Sequence, residues 1–509
     1  MKKVIRINQD DNVAVAIEPL EKGEVVNIGG KEIGVREDIP AGHKILLEDV
    51  RASENIIKYG YPIGHLTEDR LAGDLVSDRN IKTNLGGLLS YEYHPAISAE
   101  DTRNSIAERI ADDLPKTFKG YRRKNGDVGI RNDIWIVPTV GCVNGVCNEI
   151  AERFNHLAHE GQLTVRAIPY GHNYGCSQLS DDHENTRKIL RDLVLHPNAG
   201  GVLVVGLGCE NNQPVKFREM LGEYDEERIR FMVCQEVEGN EVETGLSIIR
   251  ELAEIIKQDS RTDIPLSELR VGLKCGGSDG FSGITANPLL GVFSDLIVSQ
   301  GGTTVLTEVP EMFGAETILM NRCADESLFQ KTVSLINDFK EYFLSHGEPV
   351  GENPSPGNKA GGISTLEEKA LGCTQKCGKS IVRGVLKYGD RLTSEGCKGL
   401  NLLSAPGNDL VASTALASAG CHIVLFTTGR GTPFGTFVPT MKISTNTRLA
   451  TSKTGWIDFN AGQLMEGKDM STLAREFAEK VISTANGEPT LNEQKHYNEI
   501  AIFKTGVTL

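Results

Sequence analysis

The stretch Val202-Leu-Val-Val-Gly-Leu-Gly-Cys209 is a short apolar run that ends at a cysteine. The same pattern recurs in Ile134-Trp-Ile-Val-Pro-Thr-Val-Gly-Cys142, in the segment from Val165 to Cys176, and in Leu269-Arg-Val-Gly-Leu-Lys-Cys275. Apolar runs of this length, separated by helical segments, predict strands of a parallel sheet. Ligands bind beyond the carboxyl ends of such strands, so the pattern predicts that the four cysteines gather along one functional edge.

The pattern of the chain changes three times, and each change predicts a domain boundary. Residues 1–90 contain short strand-like runs between glycine turns, which predict a small β-rich domain. Residues 91–117 are polar and acidic, as is typical of a linker. Residues 118–262 alternate strands with helices and predict a Rossmann-like or flavodoxin-like parallel sheet, while residues 263–509 predict a larger C-terminal α/β domain. The predicted fold class is therefore α/β.

Composition and charge argue against several classes of partner. The chain of 509 residues has a net charge of -15, which repels polyanions, so we expect no nucleic-acid partner. No apolar run is long enough to span a membrane, and the first residues lack the apolar core of a signal peptide. The 11 cysteines do not resemble a disulfide framework. We therefore expect a cytoplasmic protein, without a membrane partner, whose cysteines are free thiols, metal ligands or nucleophiles.

Polar residues accompany two of the strand-ending cysteines. His172 precedes Cys176 by four residues, and Glu210 directly follows Cys209. Thiolate, imidazole and carboxylate together suit iron or zinc better than magnesium. No pair of cysteines has zinc-finger spacing, so a structural zinc site is not indicated. For any single cysteine, a role as a small buried hydrophobe remains an equal alternative.

Two glycine-rich segments predict contacts with an anion. In Cys275-Gly-Gly-Ser-Asp-Gly-Phe-Ser-Gly283, the backbone N–H groups and Ser278 can hold an oxyanion. Thr427-Thr-Gly-Arg-Gly-Thr-Pro-Phe-Gly435 has glycines spaced as in a dinucleotide site, but another strand follows instead of a helix. We therefore predict no nicotinamide cofactor. Arg430 can instead form a forked pair with a substrate carboxylate, with a surface salt bridge as the alternative.

Six segments together carry a resemblance to a known family: Pro40-Ala-Gly-His-Lys44, His172-Asn-Tyr-Gly-Cys176, Gly206-Leu-Gly-Cys-Glu210, Cys275-Gly-Gly-Ser-Asp279, Asn353-Pro-Ser-Pro-Gly-Asn-Lys359 and Thr427-Thr-Gly-Arg-Gly-Thr-Pro433. In them the chain resembles the altronate and galactarate dehydratases over essentially its whole length. The resemblance implies a SAF domain followed by a two-part catalytic body. Asn211-Asn212 and Glu311-Met-Phe-Gly-Ala-Glu316 are more similar to the altronate-acting members.

The resemblance implies a hydro-lyase that converts D-altronate to 2-dehydro-3-deoxy-D-gluconate with Fe²⁺, for which Mn²⁺ sometimes substitutes. A base removes the C2 proton, an acid protonates the departing C3 hydroxyl, and the cation stabilises the enediolate. The implied metal ligands are His172, Cys176, Cys209, Glu210 and Cys275. The implied substrate-binding residues are Ser278, Asp279, Asn358, Lys359 and Arg430. The implied proton-transfer residue is His43 or Lys376. Glu308 is a further catalytic candidate on its own sequence position, because it and Glu311 follow a predicted strand and paired carboxylates at a strand end can transfer protons or bind a metal, with solvation as the alternative.

Three alternatives remain open. In the first, the substrate is galactarate or another hexarate or hexonate. In the second, the chain is an iron–sulfur hydro-lyase, in which Cys176, Cys209 and Cys275 hold a cluster with one open iron. In the third, it is a sugar-acid sensor without catalytic activity. The sequence also leaves the oligomeric state undecided, with a homo-oligomer among the alternatives.

Overall fold

The computed structural model describes residues 3–159, 165–351, 353–392 and 397–506. The N-terminal part consists of short strands, and every pairing between them is antiparallel. They form three small sheets, in the orders β1-β2-β5-β8, β3-β4 and β6-β7-β9. The strands are β1 (Val4–Ile5), β2 (Val13–Ala16), β3 (Val25–Ile28), β4 (Lys31–Gly34), β5 (Lys44–Leu46), β6 (Asn55–Lys58), β7 (Tyr61–Leu66), β8 (Leu75–Val76) and β9 (Ile81–Lys82). The predicted β-rich N-terminal domain is confirmed.

The segment predicted as a linker contains two short helices, α1 (Ala99–Thr102) and α2 (Ser105–Ala111). The Asn104 side chain caps α2 by accepting hydrogen bonds from the N–H groups of Ile106 and Ala107. Ala107 and Ile110 are buried in the core of the C-terminal part. The segment is therefore packed against that core and does not extend freely between domains.

The middle part contains a parallel sheet with the strand order β13-β12-β14-β15. All eight residues of β14 are buried, as expected for a strand of a sheet that is covered on both faces. A small antiparallel sheet, β11-β10-β16, joins the beginning of this part to its end. The elements are β10 (Thr117–Arg122), β11 (Val128–Gly129), β12 (Asp133–Pro138), α3 (Asn144–His159), β13 (Ala167–Pro169), α4 (Ser180–Val194), β14 (Ala199–Gly206), α5 (Pro214–Leu221), β15 (Ile229–Val233), α6 (Glu241–Ile256) and β16 (Thr262–Pro265).

The C-terminal part contains a seven-stranded parallel sheet with the order β19-β20-β18-β17-β21-β22-β23, which we call the large sheet. Its strands and helices are β17 (Arg270–Cys275), α7 (Ala286–Ser299), β18 (Thr303–Leu306), α8 (Glu316–Met320), α9 (Glu326–Ser345), α10 (Pro356–Ala360), α11 (Leu366–Thr374), β19 (Val382–Leu386), β20 (Gly399–Leu403), α12 (Asp409–Ser418), β21 (Ile423–Thr428), β22 (Thr440–Ser444), α13 (Thr447–Ser452), β23 (Phe459–Asn460), α14 (Met470–Ala485) and α15 (Leu491–Gln494). The predicted α/β fold class is confirmed.

The four strand-ending cysteines lie on two different sheets. Cys142, Cys176 and Cys209 follow β12, β13 and β14 of the middle sheet, whereas Cys275 ends β17 of the large sheet. The prediction of one shared edge is therefore wrong, because an apolar run locates the end of a strand but does not specify which sheet the strand joins. Within the ranges given above, no helix is both long and apolar enough to cross a membrane.

Candidate active site

The carboxyl edge of the large sheet carries a buried cluster of thiols, carboxylates and lysines. The Cys275 Sγ lies 2.8 Å from the Lys376 Nζ and 3.0 Å from the Glu311 Oε2. Cys373, on α11, places its Sγ 3.3 Å from the Cys275 Sγ and 3.3 Å from the same Glu311 oxygen. All four side chains are buried. Strand β17, the turn after β18 and the end of α11 thus bring reactive groups together that are far apart in sequence.

Glu308 is held in this cluster by an unusual backbone conformation. Its φ and ψ angles are 67° and 60°, a left-handed region that a non-glycine residue adopts at a cost of about 1–3 kcal/mol. The Glu308 Oε2 accepts a hydrogen bond of 2.8 Å from the Cys275 N–H and lies 3.3 Å from the Lys376 Nζ. The Lys274 Nζ lies 3.1 Å from the other oxygen. This backbone conformation directs the Glu308 carboxylate toward the backbone N–H group at the end of β17.

The pKa values of the two carboxyl groups of the cluster, Glu308 and Glu311, are shifted in opposite directions. Burial, followed by the charge of Glu311, raises the pKa of Glu308 above its ordinary value. Burial also acts to raise the pKa of Glu311, but Lys369, at 2.7 Å, and Lys376 outweigh it and lower that pKa to about 2. Neighbouring carboxyls whose pKa values are driven apart are typical of acid–base sites.

Lys376 is a cation in this environment. Burial acts to lower its pKa, but the nearby Cys275, Cys373 and Glu308 groups together raise the pKa well above its ordinary value. The side chain therefore carries its proton at neutral pH. It can donate a proton or stabilise negative charge, but it is not poised to act as a base.

A buried ion cluster joins the N-terminal domain to the large sheet, and we call it the lysine–glutamate triad. The Lys44 Nζ lies 2.9 Å from the Glu368 Oε2, and the Lys58 Nζ lies 2.7 Å from the Glu368 Oε1. Lys44 also donates hydrogen bonds of 2.8 Å to the Gly362 carbonyl and the Ser364 hydroxyl. Burial lowers the pKa of Lys44 to about 8, while the two lysines outweigh burial and lower that of Glu368 to about 2.

Glycines allow the two backbones to approach closely at this contact between the N-terminal domain and the C-terminal part. A Cβ atom on Gly280 or Gly362 would overlap the carbonyl group of Gly42, so neither position has room for a side chain. Gly362 also has a φ of 100°, which favours glycine. The segment that contains His43 therefore rests directly on the turn that follows β17.

A small cavity of about 10 Å³ lies between the N-terminal domain and the turn after β17, and it has room for about one water molecule. The Ser278 hydroxyl is buried there without a hydrogen-bond partner among the described residues. The side chains around the cavity include Lys58, Tyr59, Ser278, Asp279, Lys369 and Cys373. Both domains thus contribute polar groups to one small cavity.

The predicted substrate-binding residues lie around the turn after β17. The Asn358 amide donates a 2.8 Å hydrogen bond to the Ser278 carbonyl, and Arg430 extends toward the Gly357 carbonyl at 3.5 Å. Lys359 lies on the short helix α10 and is half-buried.

Asp279 and Asn358 already have partners that hold the turn in place. The Asp279 carboxylate accepts hydrogen bonds of 2.9 Å from Thr445 and 3.1 Å from Asn446. The Asn358 Oδ1 accepts a hydrogen bond of 3.3 Å from Lys369. Among the predicted substrate-binding residues, the side chains with fewer protein contacts are those of Ser278, Lys359 and Arg430.

His43 lies in the N-terminal domain, directly before Lys44 of the lysine–glutamate triad. Its ring is half-buried, and the Nδ1 lies 3.4 Å from the Ala41 carbonyl oxygen. Burial, followed by the adjacent Lys44 ammonium, lowers the pKa of His43 below its ordinary value of 6.5. The imidazole is therefore neutral at pH 7 and able to accept a proton.

Two of the five predicted metal ligands already use their ligand atoms in local hydrogen bonds. The His172 Nε2 lies 2.8 Å from the Pro138 carbonyl, and its Nδ1 accepts a hydrogen bond of 3.1 Å from the Tyr174 N–H. Glu210 accepts hydrogen bonds of 2.6 Å from both the Thr139 hydroxyl and the Gly208 N–H. Both side chains hold the loops of the middle sheet.

The structure does not bring the five predicted ligands into one set. Cys176 and Cys209 lie with His172 and Glu210 on the middle sheet, and Cys275 lies on the large one. Within the described ranges, only one group brings three ligand atoms within 4.8 Å of one another, and it consists of Cys275, Glu311 and Cys373. The motifs are distributed over two sheets, and the ligand set that the resemblance implies stays a prediction.

Several buried charged residues were not predicted from the sequence. Lys274 had a usable signal, because a lysine inside the apolar run of a buried strand requires a partner. Glu368 and Lys369 had none, since a Glu-Glu-Lys sequence on a helix is normally a solvated face. Only the packing of α11 beneath the N-terminal domain makes those two residues part of the site.

The same order of domains emerges from comparison with known families. Residues 2–84 match the altronate/galactarate dehydratase SAF domain, and residues 120–257 match the second domain of D-galactarate dehydratase/altronate hydrolase. Residues 266–508 match the C-terminal domain of D-galactarate/altronate dehydratase. The fold and these matches define the class as sugar-acid dehydratases with an N-terminal SAF domain.

Individual relatives agree with this class over nearly full length. The chain is 54% identical to the altronate dehydratase of Bacillus subtilis (strain 168), with 100% of both chains covered. It is 54% identical to the altronate dehydratase of Escherichia coli (strain K12), covering 99% of each chain. It is 31% identical to the L-threo-forming galactarate dehydratase of Escherichia coli (strain K12), covering 98% of this chain and 96% of that one. The chain is an enzyme of the altronate/galactarate dehydratase family, which confirms the resemblance of its motifs.

Proposed function

We propose that the chain dehydrates D-altronate to 2-dehydro-3-deoxy-D-gluconate. The observation that carries this proposal is the 54% identity, over the whole chain, to two altronate dehydratases. The galactarate-acting relative is much less similar, at 31% identity. The cluster at the large-sheet edge supplies the kinds of group that such a reaction requires.

The chemical difficulty of the reaction is the weak acidity of the proton next to a carboxylate. Its removal creates an enediolate with an additional negative charge, which nearby cations stabilise in a water-poor site. Lys369 and Lys376 are buried ammonium groups beside the cavity or the cluster, and Lys58 borders the cavity from the N-terminal domain. In a chain of net charge -15, these lysines offset the charges of Glu368, Glu311 and Glu308, and this local balance lessens the repulsion of an anionic substrate.

We assign opposite proton-transfer roles to the two sides of the domain contact. His43 is neutral near pH 7 and acts as the base that takes the C2 proton. Glu308, whose pKa is raised by burial, acts with the Lys376 ammonium as the acid side that protonates the departing hydroxyl. This division follows the general rule that the acid and the base of one site have pKa values shifted apart.

A six-carbon acid does not fit a cavity with room for about one water molecule. Lys58 and Tyr59 form one wall of that cavity, so a movement of the N-terminal domain would admit the substrate. The closed arrangement would then exclude water while the proton transfers occur.

We propose iron as the metal, with manganese as a substitute, and its chemistry when bound is Lewis-acid stabilisation of the substrate carboxylate. Cys275, Glu311 and Cys373 offer donors that suit iron. They do not fit a divalent ion in this arrangement, because the Lys376 Nζ lies 2.8 Å from the Cys275 Sγ and the Lys369 Nζ lies 2.7 Å from Glu311. We therefore treat these three residues as part of the proton-transfer cluster.

The decisive experiment assays the iron-loaded protein, prepared without oxygen, on altronate, galactarate and mannonate. We expect a semicarbazide-reactive 2-keto product from altronate, with a kcat/KM higher than for the other two acids. Preferential turnover of galactarate would contradict the choice of substrate. Binding of altronate without any product would favour the sensor alternative.

We also propose a cytoplasmic location, because all 11 cysteines are free.

The role of His43 predicts a specific pH dependence. A neutral base must be unprotonated, so kcat/KM for altronate should fall as the pH decreases through the lowered pKa of His43, below 6.5. The His43→Gln variant should lose about a hundredfold in kcat and also lose this acidic limb of the profile. His65→Gln, in the same domain, is the matched control and should keep both. An unchanged limb in His43→Gln would remove His43 from the mechanism.

A further inference from the structure

The hairpin between β6 and β7 holds a tyrosine in a backbone conformation that is rare for a side chain of its size. Lys58 pairs with Tyr61 across the hairpin, so Tyr59 and Gly60 form a two-residue turn. Their φ angles are 62° and 78°, and turns of this kind favour Asn-Gly, Asp-Gly or Gly-Gly. A bulky side chain at the first of these positions is strained, and strain of this kind is concentrated at functional sites.

The Tyr59 side chain extends from the N-terminal domain to the C-terminal part. Its ring packs against a core cluster that includes Leu371 of α11. A Cβ atom on Gly283, in the turn after β17, would overlap the Tyr59 hydroxyl, and one on Gly372 of α11 would lie 3.5 Å from it. The hydroxyl is therefore placed between two segments of the candidate active site.

Two hydroxyl groups, one from each side of the domain contact, belong to residues that line the small cavity. These residues are Tyr59 and Ser278. The Ser278 hydroxyl is buried and has no hydrogen-bond partner among the described residues. The Tyr59 hydroxyl donates to no carboxylate or carbonyl oxygen of the described residues, whereas the Tyr91 hydroxyl donates a bond of 2.7 Å to Glu316. Both hydroxyl protons are thus available to a ligand.

The lysines around the cavity, in contrast, already balance carboxylates of the protein. The Lys58 Nζ lies 2.7 Å from the Glu368 Oε1, and the Lys369 Nζ lies 2.7 Å from the Glu311 Oε1. The two hydroxyl groups are neutral and have donor capacity that no ion pair uses. They are therefore the donors best placed to meet a negative charge that develops in the cavity.

Tyr59 keeps its proton at neutral pH. Burial raises the pKa of Tyr59 above its ordinary value of 10.0, although the adjacent Lys58 ammonium acts to lower it. The Lys58 Nζ lies 4.9 Å from the centroid of the Tyr59 ring. The positive charge favours negative charge on the phenol oxygen, which strengthens the phenol as a hydrogen-bond donor. Tyr59 is thus suited to donating a hydrogen bond and not to removing a proton.

We propose that the cavity is an oxyanion hole in which Tyr59 and Ser278 each donate a hydrogen bond to one oxygen of the substrate carboxylate. Its volume of about 10 Å³ has room for one oxygen atom and not for a whole sugar acid. That oxygen gains negative charge when the C2 proton leaves, so both hydrogen bonds are stronger in the enediolate than in the substrate. Both residues keep their own protons throughout.

This assignment rests on the proposed function and extends it to the N-terminal domain. Tyr59 reaches the cavity from that domain, so closure of the domain over the substrate would complete the oxyanion hole. An open enzyme would bind the sugar acid without stabilising the enediolate. Removal of the C2 proton would then depend on closure, as in other enzymes whose catalytic groups assemble only when a domain or loop closes.

The first test is the Tyr59→Phe variant, which removes one hydroxyl group and keeps the ring. In the iron-loaded, full-length protein, we expect kcat for altronate to fall about 10²–10³-fold, with KM changed by less than about threefold. Tyr61→Phe is the matched control, because Tyr61 lies in the same hairpin with an exposed side chain. The control should keep kcat within about twofold of the original value, and both variants should keep the thermal midpoint.

The double variant Tyr59→Phe/Ser278→Ala tests whether the two hydroxyls act on the same oxygen. Ser278→Ala alone should lose about 10²-fold in kcat. Because groups that act as a unit are not additive, the double variant should lose clearly less than the product of the two separate losses. Losses that multiply would place the hydroxyls at different atoms and would overturn the oxyanion hole.

Failure of this inference is distinguishable from failure of the proposed function. Full activity of Tyr59→Phe on altronate would overturn the oxyanion hole and leave the proposed function intact. A loss of activity together with early release of the N-terminal domain by limited proteolysis would make Tyr59 a structural residue and overturn the inference. If the original protein dehydrates galactarate in place of altronate, the proposed substrate fails, and a loss of that activity in Tyr59→Phe would still support the oxyanion hole.

Discussion

The Lys376→Met variant is expected to lose about a thousandfold in kcat for altronate. The substitution removes the ammonium group that lies 2.8 Å from the Cys275 Sγ and 3.3 Å from the Glu308 Oε2. Without this charge, the site can neither stabilise the enediolate nor keep a proton beside the departing hydroxyl. Steady-state assays should show the loss in kcat, with a smaller change in KM.

Lys379→Met is the matched control for this variant. Lys379 lies three residues farther along the chain, and its backbone N–H, unaffected by the substitution, bonds to Asp295 at 2.9 Å. We expect its kcat to remain within about twofold of the original value. Equal losses in both variants would mean that Lys376 acts only through the local structure.

A second variant separates catalysis from stability. Lys376→Met leaves Glu308 buried with one cation fewer, so some loss of unfolding free energy is expected. The double variant Lys376→Met/Glu308→Gln also removes the carboxylate, leaves Lys274 paired with Asp409 at 2.7 Å, and should recover stability without recovering activity. Recovery of activity together with stability would contradict a catalytic role for either residue.

The Glu368→Gln variant is expected to lose about 3–5 kcal/mol of stability at the contact of the N-terminal domain. Glu368 is the one carboxylate of the lysine–glutamate triad, and its removal leaves Lys44 and Lys58 buried without their shared counter-charge. Hydrogen–deuterium exchange should increase in β5, β6 and α11, and limited proteolysis should release the N-terminal domain earlier.

The control for this prediction is an exposed ion pair in the same domain. Lys3 and Glu24 form such a pair, and Glu24→Gln should leave stability nearly unchanged because solvent screens the interaction. The variant Lys44→Met/Lys58→Met/Glu368→Leu replaces the triad with apolar groups and should recover much of the loss. Normal protection from exchange in Glu368→Gln would show that glycine packing alone holds the domains together.

The fold was largely predictable from the chain because its signals are local. Apolar runs such as Val202–Gly206 are long enough to identify buried strands, and they alternate with amphipathic helices such as Glu241–Ile256. The distribution of strands between two sheets was not predictable, because it depends on contacts between residues that are distant in sequence. The prediction of one cysteine edge was therefore wrong. Only β17 ends at its cysteine, Cys275, whereas β12, β13 and β14 end at Pro138, Pro169 and Gly206, before the cysteines that follow them.

Residues of the candidate site were predictable only where the reactive side chains lie close together in sequence. The turn after Cys275 was recognised from its glycines and hydroxyls, and Glu308 from its position after a strand. Lys369 and Glu368 belong to a helix whose polarity suggests a solvated face, and only tertiary packing buries them. Conversely, His172 and Glu210 are residue types that commonly bind metals, but their potential ligand atoms form hydrogen bonds with the loops of the middle sheet.

The lysine–glutamate triad contains two lysines and one carboxylate, so it carries an excess positive charge when both lysines are protonated. Lys58 also borders the cavity, where the carboxylate of a sugar acid would complete the balance of charge. Substrate binding and domain docking would then share a coupling free energy, and each must strengthen the other by the same factor. A loosened N-terminal domain should thus weaken substrate affinity to the extent that substrate tightens the domain.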